Sequence, residues 1–395
     1  VSPPVWDVLI AGAGVGGAAL AAALSLQPGL RVLVVDRRSG PGNINRGDSL
    51  LPAVTCHLQR WGVMPAVWAA GARAVTRMQI CHHRDGLLFE APLSGTVAAP
   101  YVVLPHPEIE RALVETARQR GVEVRYRCRL ARLRTAAGRV TGAELVAEGG
   151  AAEPVTARVV VGADGSASTV RAQLGLGLPL SAYDHGYYIT EVARPADYQD
   201  AMRIELHPAG GILVVPQGDE RVGLGVLVRP AHEALFRAGP LADKLAEIGR
   251  RSPLLAGRIA YPRGAHLYAL QRGHAPVYTT AGAVLIGDAI HITNPTAGQG
   301  MTMALEDAEA LSRHLVPVLT QAPDPVALDA ALHAYAAERW PRNDAQIRWS
   351  HWLSRLYALG PPAGDLLHRG ALRLGGSRLG RSLQDFIWSR MATRS

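Results

Sequence analysis

Three glycine–aspartate clusters carry residues whose types and spacing suit nucleotide chemistry: GAGVGG at 12–17, GADGS at 162–166 and GDAIHITNPTAGQG at 287–300. In the first, Gly12 permits a tight turn, Gly14 lets a pyrophosphate approach the backbone, and Gly17 lets a helix pack on a strand. Ala13, Val15 and Gly16 complete that turn, whose amides and positive helix end suit an anion. Asp36, about 20 residues further on, is the acid such a site offers to a ribose hydroxyl. Arg37 stands beside it, and an acid here disfavours a 2′-phosphate. Asp164 and Gly165 end a run of valines and, in isolation, have a tight turn as their alternative reading. Asp288 is placed for a second ribose or polyol, and Pro295, Gly298, Gln299, Gly300 and Met301 form a loop that opens a helix. Amides and a positive dipole at that helix end suit the negative charge that develops on a reduced flavin.

The elements that position these clusters follow from hydrophobic periodicity. Residues 7–11 read as a buried strand, 15–26 as a helix stopped by Pro28-Gly29, and 31–35 as a second strand. This strand–turn–helix–strand unit opens a doubly wound sheet. Residues 51–61, 65–70 and 107–120 read as helices, the last with Pro107 at its start and Gly121 after it. Residues 75–89, 122–133, 140–146 and 158–161 read as strands. Between about 183 and 268 the texture changes to short strands at 187–192, 202–206, 212–215 and 222–228, with one helix at 241–250. A buried strand returns at 283–286, and the chain then turns mostly helical, beginning with 301–315. The expected class is α/β. A doubly wound nucleotide domain (1–70, 101–180, 275–320) joins a mainly antiparallel substrate domain (71–100, 181–274) and a C-terminal helical segment (321–395).

Composition narrows the partners. The net charge is +8, and every basic residue except Lys244 and the histidines is arginine. Two readings stay open: an arginine-biased surface, or attraction to anions such as a pyrophosphate, a reduced nicotinamide cofactor or acidic lipid. No basic block carries interleaved aromatics, so nucleic acid is not expected. Cys56, Cys81 and Cys128 are scattered without a CxxC pair, so neither a disulfide framework nor a metal site is expected. No apolar run reaches the roughly 18–20 residues of a membrane helix. The first apolar run, 8–10, leads straight into the first motif, and the expected location is cytoplasmic. Trp349, Trp352, Leu353, Leu356 and Tyr357 recur at helical spacing beside Arg348 and Arg355. They read either as a core or dimer face, or as a peripheral contact with the inner face of a membrane. Monomer and homodimer both stay open.

The order of the three motifs resembles that of the class A flavoprotein monooxygenases, with the para-hydroxybenzoate hydroxylase-like fold, over about residues 5–315. The resemblance implies non-covalent FAD, with Gly12, Gly14 and Gly17 at its pyrophosphate and Asp36 at the adenosine ribose. It implies Arg46 near the ribityl–pyrophosphate stretch and Leu130 on a strand whose backbone nears adenine. Asp164 is implied to serve both FAD and the reduced nicotinamide, and Asp288 the ribityl–pyrophosphate part. Pro295 and residues 298–301 are implied to surround the isoalloxazine, which makes Pro295 and Arg46 the candidates for the catalytic environment. His106 stands where the family often has Arg or Gln, and Thr302 where Asn is common. The implied reaction is oxygen transfer from a flavin C4a-hydroperoxide, after transient reduction by NADH or NADPH, to a hydrophobic, aromatic or quinone-like molecule by hydroxylation or epoxidation. No second GxGxxG is present for the nicotinamide cofactor. The absence of a Ser–His–Asp constellation agrees with this chemistry.

The pocket is expected between the antiparallel sheet and the flavin, lined by Ile212, Val214, Leu224 and Tyr188, with His82, His83 and Tyr187 as further candidates to orient a phenol. Three alternatives are weighed. A halogenase resembles this domain but carries a WxWxIP strand where 210–217 reads GGILVVPQ, and the lone Lys244 falls in the helix at 241–250. A geranylgeranyl reductase-like FAD-dependent reductase and a non-catalytic flavin-binding protein are the others.

Overall fold

The computed structural model describes residues 5–42, 49–93, 100–260, 262–295, 298–321 and 324–358. Its helices, in chain order, are α1 (Val15–Leu24), α2 (Pro52–Arg60), α3 (Met64–Ala69), α4 (His106–Gln119), α5 (Thr169–Gln173), α6 (Pro230–Ala238), α7 (Leu241–Arg251), α8 (Gln299–Leu319) and α9 (Pro325–Tyr357).

A mixed sheet runs through the segments expected to form the nucleotide domain. Val5–Ala11 lies at its centre, parallel to Ala152–Gly162 on one side and Val32–Asp36 on the other, with Glu123–Tyr126 and Ala283–Leu285 further out. These strands are covered on both faces, which is why they read as unbroken Val/Leu/Ile runs. α1 buries nine of its ten residues, so it is apolar all round and sits between the sheet and helices α4 and α8. The strand expected at 122–133 is two strands, because Arg127 turns the backbone at φ +53° before Cys128–Ala136 begins.

The second sheet has the order His291–Ile292, Arg263–His274, Leu180–Ala193, Arg221–Val228, Ile212–Gln217, Met202–Leu206, Arg77–His82, Gly86–Pro92. It is antiparallel except where Met202–Leu206 meets Arg77–His82. One face is closed by α6 and α7. There Tyr188, Ile212, Val214 and Leu224 pack with Phe236, Ile248 and Leu255, and the Tyr188 and Phe236 rings lie 5.0 Å apart. This corrects the expected pocket lining, since these four residues fill a closed core on the far side of the sheet. α6 was not anticipated, and without it that face had no cover. The strand 212–215 is apolar at every position, so alternation alone does not say which parity faces which way. The other parity, Leu213 and Val215, packs towards Leu51, Val75, Tyr101 and Val103 beside the nucleotide domain.

Two connections join the sheets near the third motif. His291–Ile292 pairs with the substrate sheet through Gly273 and His274. α9 runs from the nucleotide core, where Tyr335 Oη donates to Leu285 O at 3.2 Å, to the substrate sheet, where His185 Nε2 lies 3.3 Å from Ser354 Oγ.

Candidate functional site

The first motif forms the expected turn with its three glycines in different roles. A Cβ on Gly12 (φ +106°) would lie 2.3 Å from Ala163 O, and one on Gly17 would lie 1.9 Å from Gly12 O. Those two glycines are therefore required by packing. Gly14 is different: its backbone is extended, and a Cβ would meet nothing closer than Glu110 Oε1 at 3.8 Å. Gly14 is also the N-cap of α1, with no side-chain cap and no acid in the first turn, so the helix end keeps its donors and its positive field for an anion. Gly16 brings α1 against α8, 3.6 Å from Ala304 Cβ.

Asp36 ends its strand beside this turn. Its Oδ2 accepts from Ala13 N at 2.8 Å and from Arg38 Nη2 at 2.9 Å; its Oδ1 accepts from Arg38 N and Nε. Arg38 also donates to Glu110 at 2.9 Å, and Glu110 accepts from Gly42 N and lies 3.2 Å from His106 Nε2. Burial alone would push both carboxyls up. For Asp36 the hydrogen bonds from Arg38 and Ala13 outweigh it, and for Glu110 those from His106 and Gly42 do, with Arg38 adding attraction; both are held below the usual range. Arg38 and Glu110 were missed by sequence reading, because Glu110 sits inside a helix whose polar pattern reads as surface. Arg37 is exposed, and Leu130 is buried opposite Leu145. Arg46 lies outside the described residues.

Asp164 proves to be a helix cap. Its Oδ2 accepts from Thr169 N at 2.7 Å and Val170 N at 3.1 Å, while Ser168 Oγ donates to Oδ1 at 2.5 Å. Arg171 then links the second motif to the third, donating to Ser166 O and Ala289 O at 2.8 and 2.9 Å. In the 3-10 turn Gly287–Ala289, Asp288 is exposed between buried neighbours. Gly298 adopts the left-handed conformation (φ +63°) as N-cap of α8, again with no side-chain cap and no acid in the first turn. Gln299 and Thr302 are fully buried behind it, and Met301 and Pro295 are half-buried. Two uncapped helix ends, a buried carboxylate for a ribose and an exposed one for a polyol together fit a flavin dinucleotide.

Behind this surface lies a charged core that the sequence did not announce. Asp307 and Arg339 are both fully buried and bonded at 2.9 Å. Burial would push Asp307 up, but His291, Arg339 and Asn343 hold it well below the usual carboxylate range. A group depressed in the folded state contributes stability above its unfolded value, about 3.9, and loses it as pH falls towards the folded value. The Asp307 share of the stability should accordingly hold from neutral pH to about 5 and fall away below about 4 in thermal melts. Asp307→Asn should flatten that acid limb, and an unchanged limb would remove Asp307 from it.

The face of the substrate sheet turned to this site carries Leu213, Val215, Gly223 and Gly225. A Cβ on Gly225 would lie 2.1 Å from Tyr187 Oη, so the Tyr187 ring lies across a glycine floor. Tyr357 of α9 covers Gly211 in the same way. The His82 and His83 rings lie 4.4 Å apart, tilted at 44°, at the end of Arg77–His82, beside His207. Lys244 lies over Tyr188 on the far side of the sheet, away from this face. Trp349 and Trp352 stack at 5.2 Å with Trp352 54% exposed, so the latter is not core. Among the described residues no helix is long and apolar enough to cross a membrane, and no His/Cys/Asp/Glu cluster suits a metal.

Comparison with known proteins agrees with this geometry. A family model described as FAD binding domain matches residues 5–350. The 6-methylpretetramide 4-monooxygenase of Streptomyces rimosus is 31% identical over 90% of this chain, which spans 64% of that protein's length. Kynurenine 3-monooxygenase of Salinispora arenicola is 32% identical over 85% of this chain and 77% of its own. Among solved structures, PqsL of Pseudomonas aeruginosa, described as a probable FAD-dependent monooxygenase, superposes with a TM-score of 0.81 at 26% identity, covering 93% of this chain and 99% of that one.

Proposed function

We propose that this chain, which belongs to the class A flavoprotein monooxygenase family, uses NADH or NADPH and O2 to hydroxylate a hydrophobic, aromatic or quinone-like small molecule. FAD, when bound, supplies the two-electron redox chemistry and the activation of O2. The protein's own part is positioning and exclusion of water. Gly14 and the end of α1 hold the pyrophosphate, Asp36 the adenosine ribose, and Asp288 the ribityl stretch. Pro295 and the end of α8 border the isoalloxazine and place positive dipole at its pyrimidine edge. The nicotinamide donor binds transiently. The single observation that carries the substrate class is the face Leu213, Val215, Gly223 and Gly225 beneath Tyr187. It is apolar, and its Leu213 and Val215 pack towards Leu51, Val75, Tyr101 and Val103.

Location in the cytoplasm, with Trp352 and the neighbouring Arg348 and Arg355 touching an acidic membrane face, belongs to the same reading, as does a monomer or homodimer. The test is a reconstituted FAD protein, a panel of phenols, polycyclic phenols and prenylated quinols, and 18O2. Substrate-stimulated NAD(P)H oxidation with one 18O in the product is expected. A product gaining two hydrogens without oxygen would favour the reductase alternative, and no stimulation by any candidate would favour a binding protein.

A further inference from the structure

The turn at Gly287 and the first turn of α8 belong to different elements, yet one buried carboxylate grips both sides of the loop between them. Asp307, two turns into α8, accepts from Gly287 N at 3.0 Å through Oδ2. The His291 tautomer with its proton on Nε2 donates to the same oxygen at 2.6 Å. Oδ1 accepts from Arg339 Nε at 2.9 Å and Asn343 Nδ2 at 3.0 Å, both from α9. Arg339 is itself braced by Glu306 at 2.9 Å and by Asn343 Oδ1 at 2.7 Å. Asp307, His291, Arg339 and Asn343 are each 2% exposed or less. A carboxylate this deeply buried survives as an ion only because four donors surround it. Those donors come from the Gly287–Ala289 turn, from His291–Ile292 and from α9.

We propose that Asp307 is a positioning residue for FAD, resting on the reading above that FAD lies across the third motif. Its carboxylate sets Asp288 and the α8 N-terminus at one fixed separation, so that the ribityl side and the pyrimidine side of the cofactor are met together. Arg339 is the counter-charge that keeps it ionised, which makes α9 part of the cofactor clamp, and Ser350 Oγ of the same helix donates to Asn294 O of the loop at 2.8 Å. Replacing the carboxylate by an amide turns a donor towards donors, on one side or the other, and releases the Gly287 turn from α8.

The test measures FAD affinity of apoprotein by flavin fluorescence, with the visible flavin spectrum, for the parent and four variants. Asp307→Asn and His291→Leu are expected to weaken FAD by about tenfold or more, the effect of one or two lost buried hydrogen bonds, and to shift the spectrum. His291→Gln, whose amide N–H can replace Nε2–H, is expected to restore most of the affinity. Leu311→Ala, fully buried one turn further along α8, is the control: it should lower the melting temperature and leave FAD affinity and spectrum at the parent's values. If Asp307→Asn does not fold, His291→Leu and its Gln counterpart decide. The idea is overturned if the folded Asp307 or His291 variants bind FAD as Leu311→Ala does. A parent chain that binds no FAD would instead overturn the reading of the cofactor site.

Discussion

A Gly14→Ala chain is expected to fold, to melt near the parent and to bind FAD roughly ten- to a hundredfold more weakly. The backbone at Gly14 has φ −68° and ψ 178°, which any residue adopts, and the nearest atom to an added Cβ is 3.8 Å away. The methyl group therefore costs the apoprotein little. It projects into the gap through which a pyrophosphate must approach the amides at the start of α1, and losing one charge-assisted hydrogen bond there is worth about 1.5–3 kcal/mol, or roughly ten- to a hundredfold in affinity. Gly17→Ala is the contrasting variant. Its Cβ would fall 1.9 Å from Gly12 O, so helix and strand must part and the fold itself should fail. Circular-dichroism melts and FAD titration of the apoproteins separate the two. A Gly14→Ala protein that binds FAD with the parent's affinity would show that the pyrophosphate does not lie on this turn.

The second large effect is expected at Gly225. Alanine there requires the Tyr187 ring, 2.1–2.8 Å from the new Cβ, to swing away. FAD binding should stay at the parent's level, because the substitution lies on the substrate sheet. KM for a stimulating substrate should rise about tenfold, the scale of a misfitted methyl group in an apolar pocket, and NAD(P)H oxidation should outrun product. Leu224→Ala, on the adjacent residue but the opposite face, should behave in the reverse way. It loses about 2–5 kcal/mol of stability from the core beneath α6 and α7, with KM unaltered. If the KM change follows Leu224 and not Gly225, the two faces have been assigned the wrong way round.

The difference between these residues shows where sequence reasoning stopped. Gly225 and Leu224 sit in a strand whose residues are buried on both faces, from Val222 to Val228. Periodicity locates such a strand but not its inner side, since the choice depends on what covers each face. α6 and α7 cover one, and the nucleotide domain and α9 the other. The same limit hid Arg38 and Glu110, which are 72 positions apart in sequence and meet over the glycine turn at 2.9 Å. Asp164 shows the opposite case: its motif was legible, and the structure adds that its carboxylate accepts from the first amides of α5.

What the sequence by itself determined is local. Glycine is the residue that admits φ > 0 or a contact distance that leaves no room for a Cβ, so the turn at Gly12–Gly17, the uncapped helix ends and the acids after the strands follow from residue type and spacing, and with them the cofactor class. What only the tertiary structure decided is every pairing between distant residues: the face of the substrate sheet turned to the cofactor, and the gathering of His291, Asp307 and Arg339 into one buried cluster. Such pairings depend on which elements bury which surface, and a charge buried among donors carries no mark in the sequence that separates it from one in water.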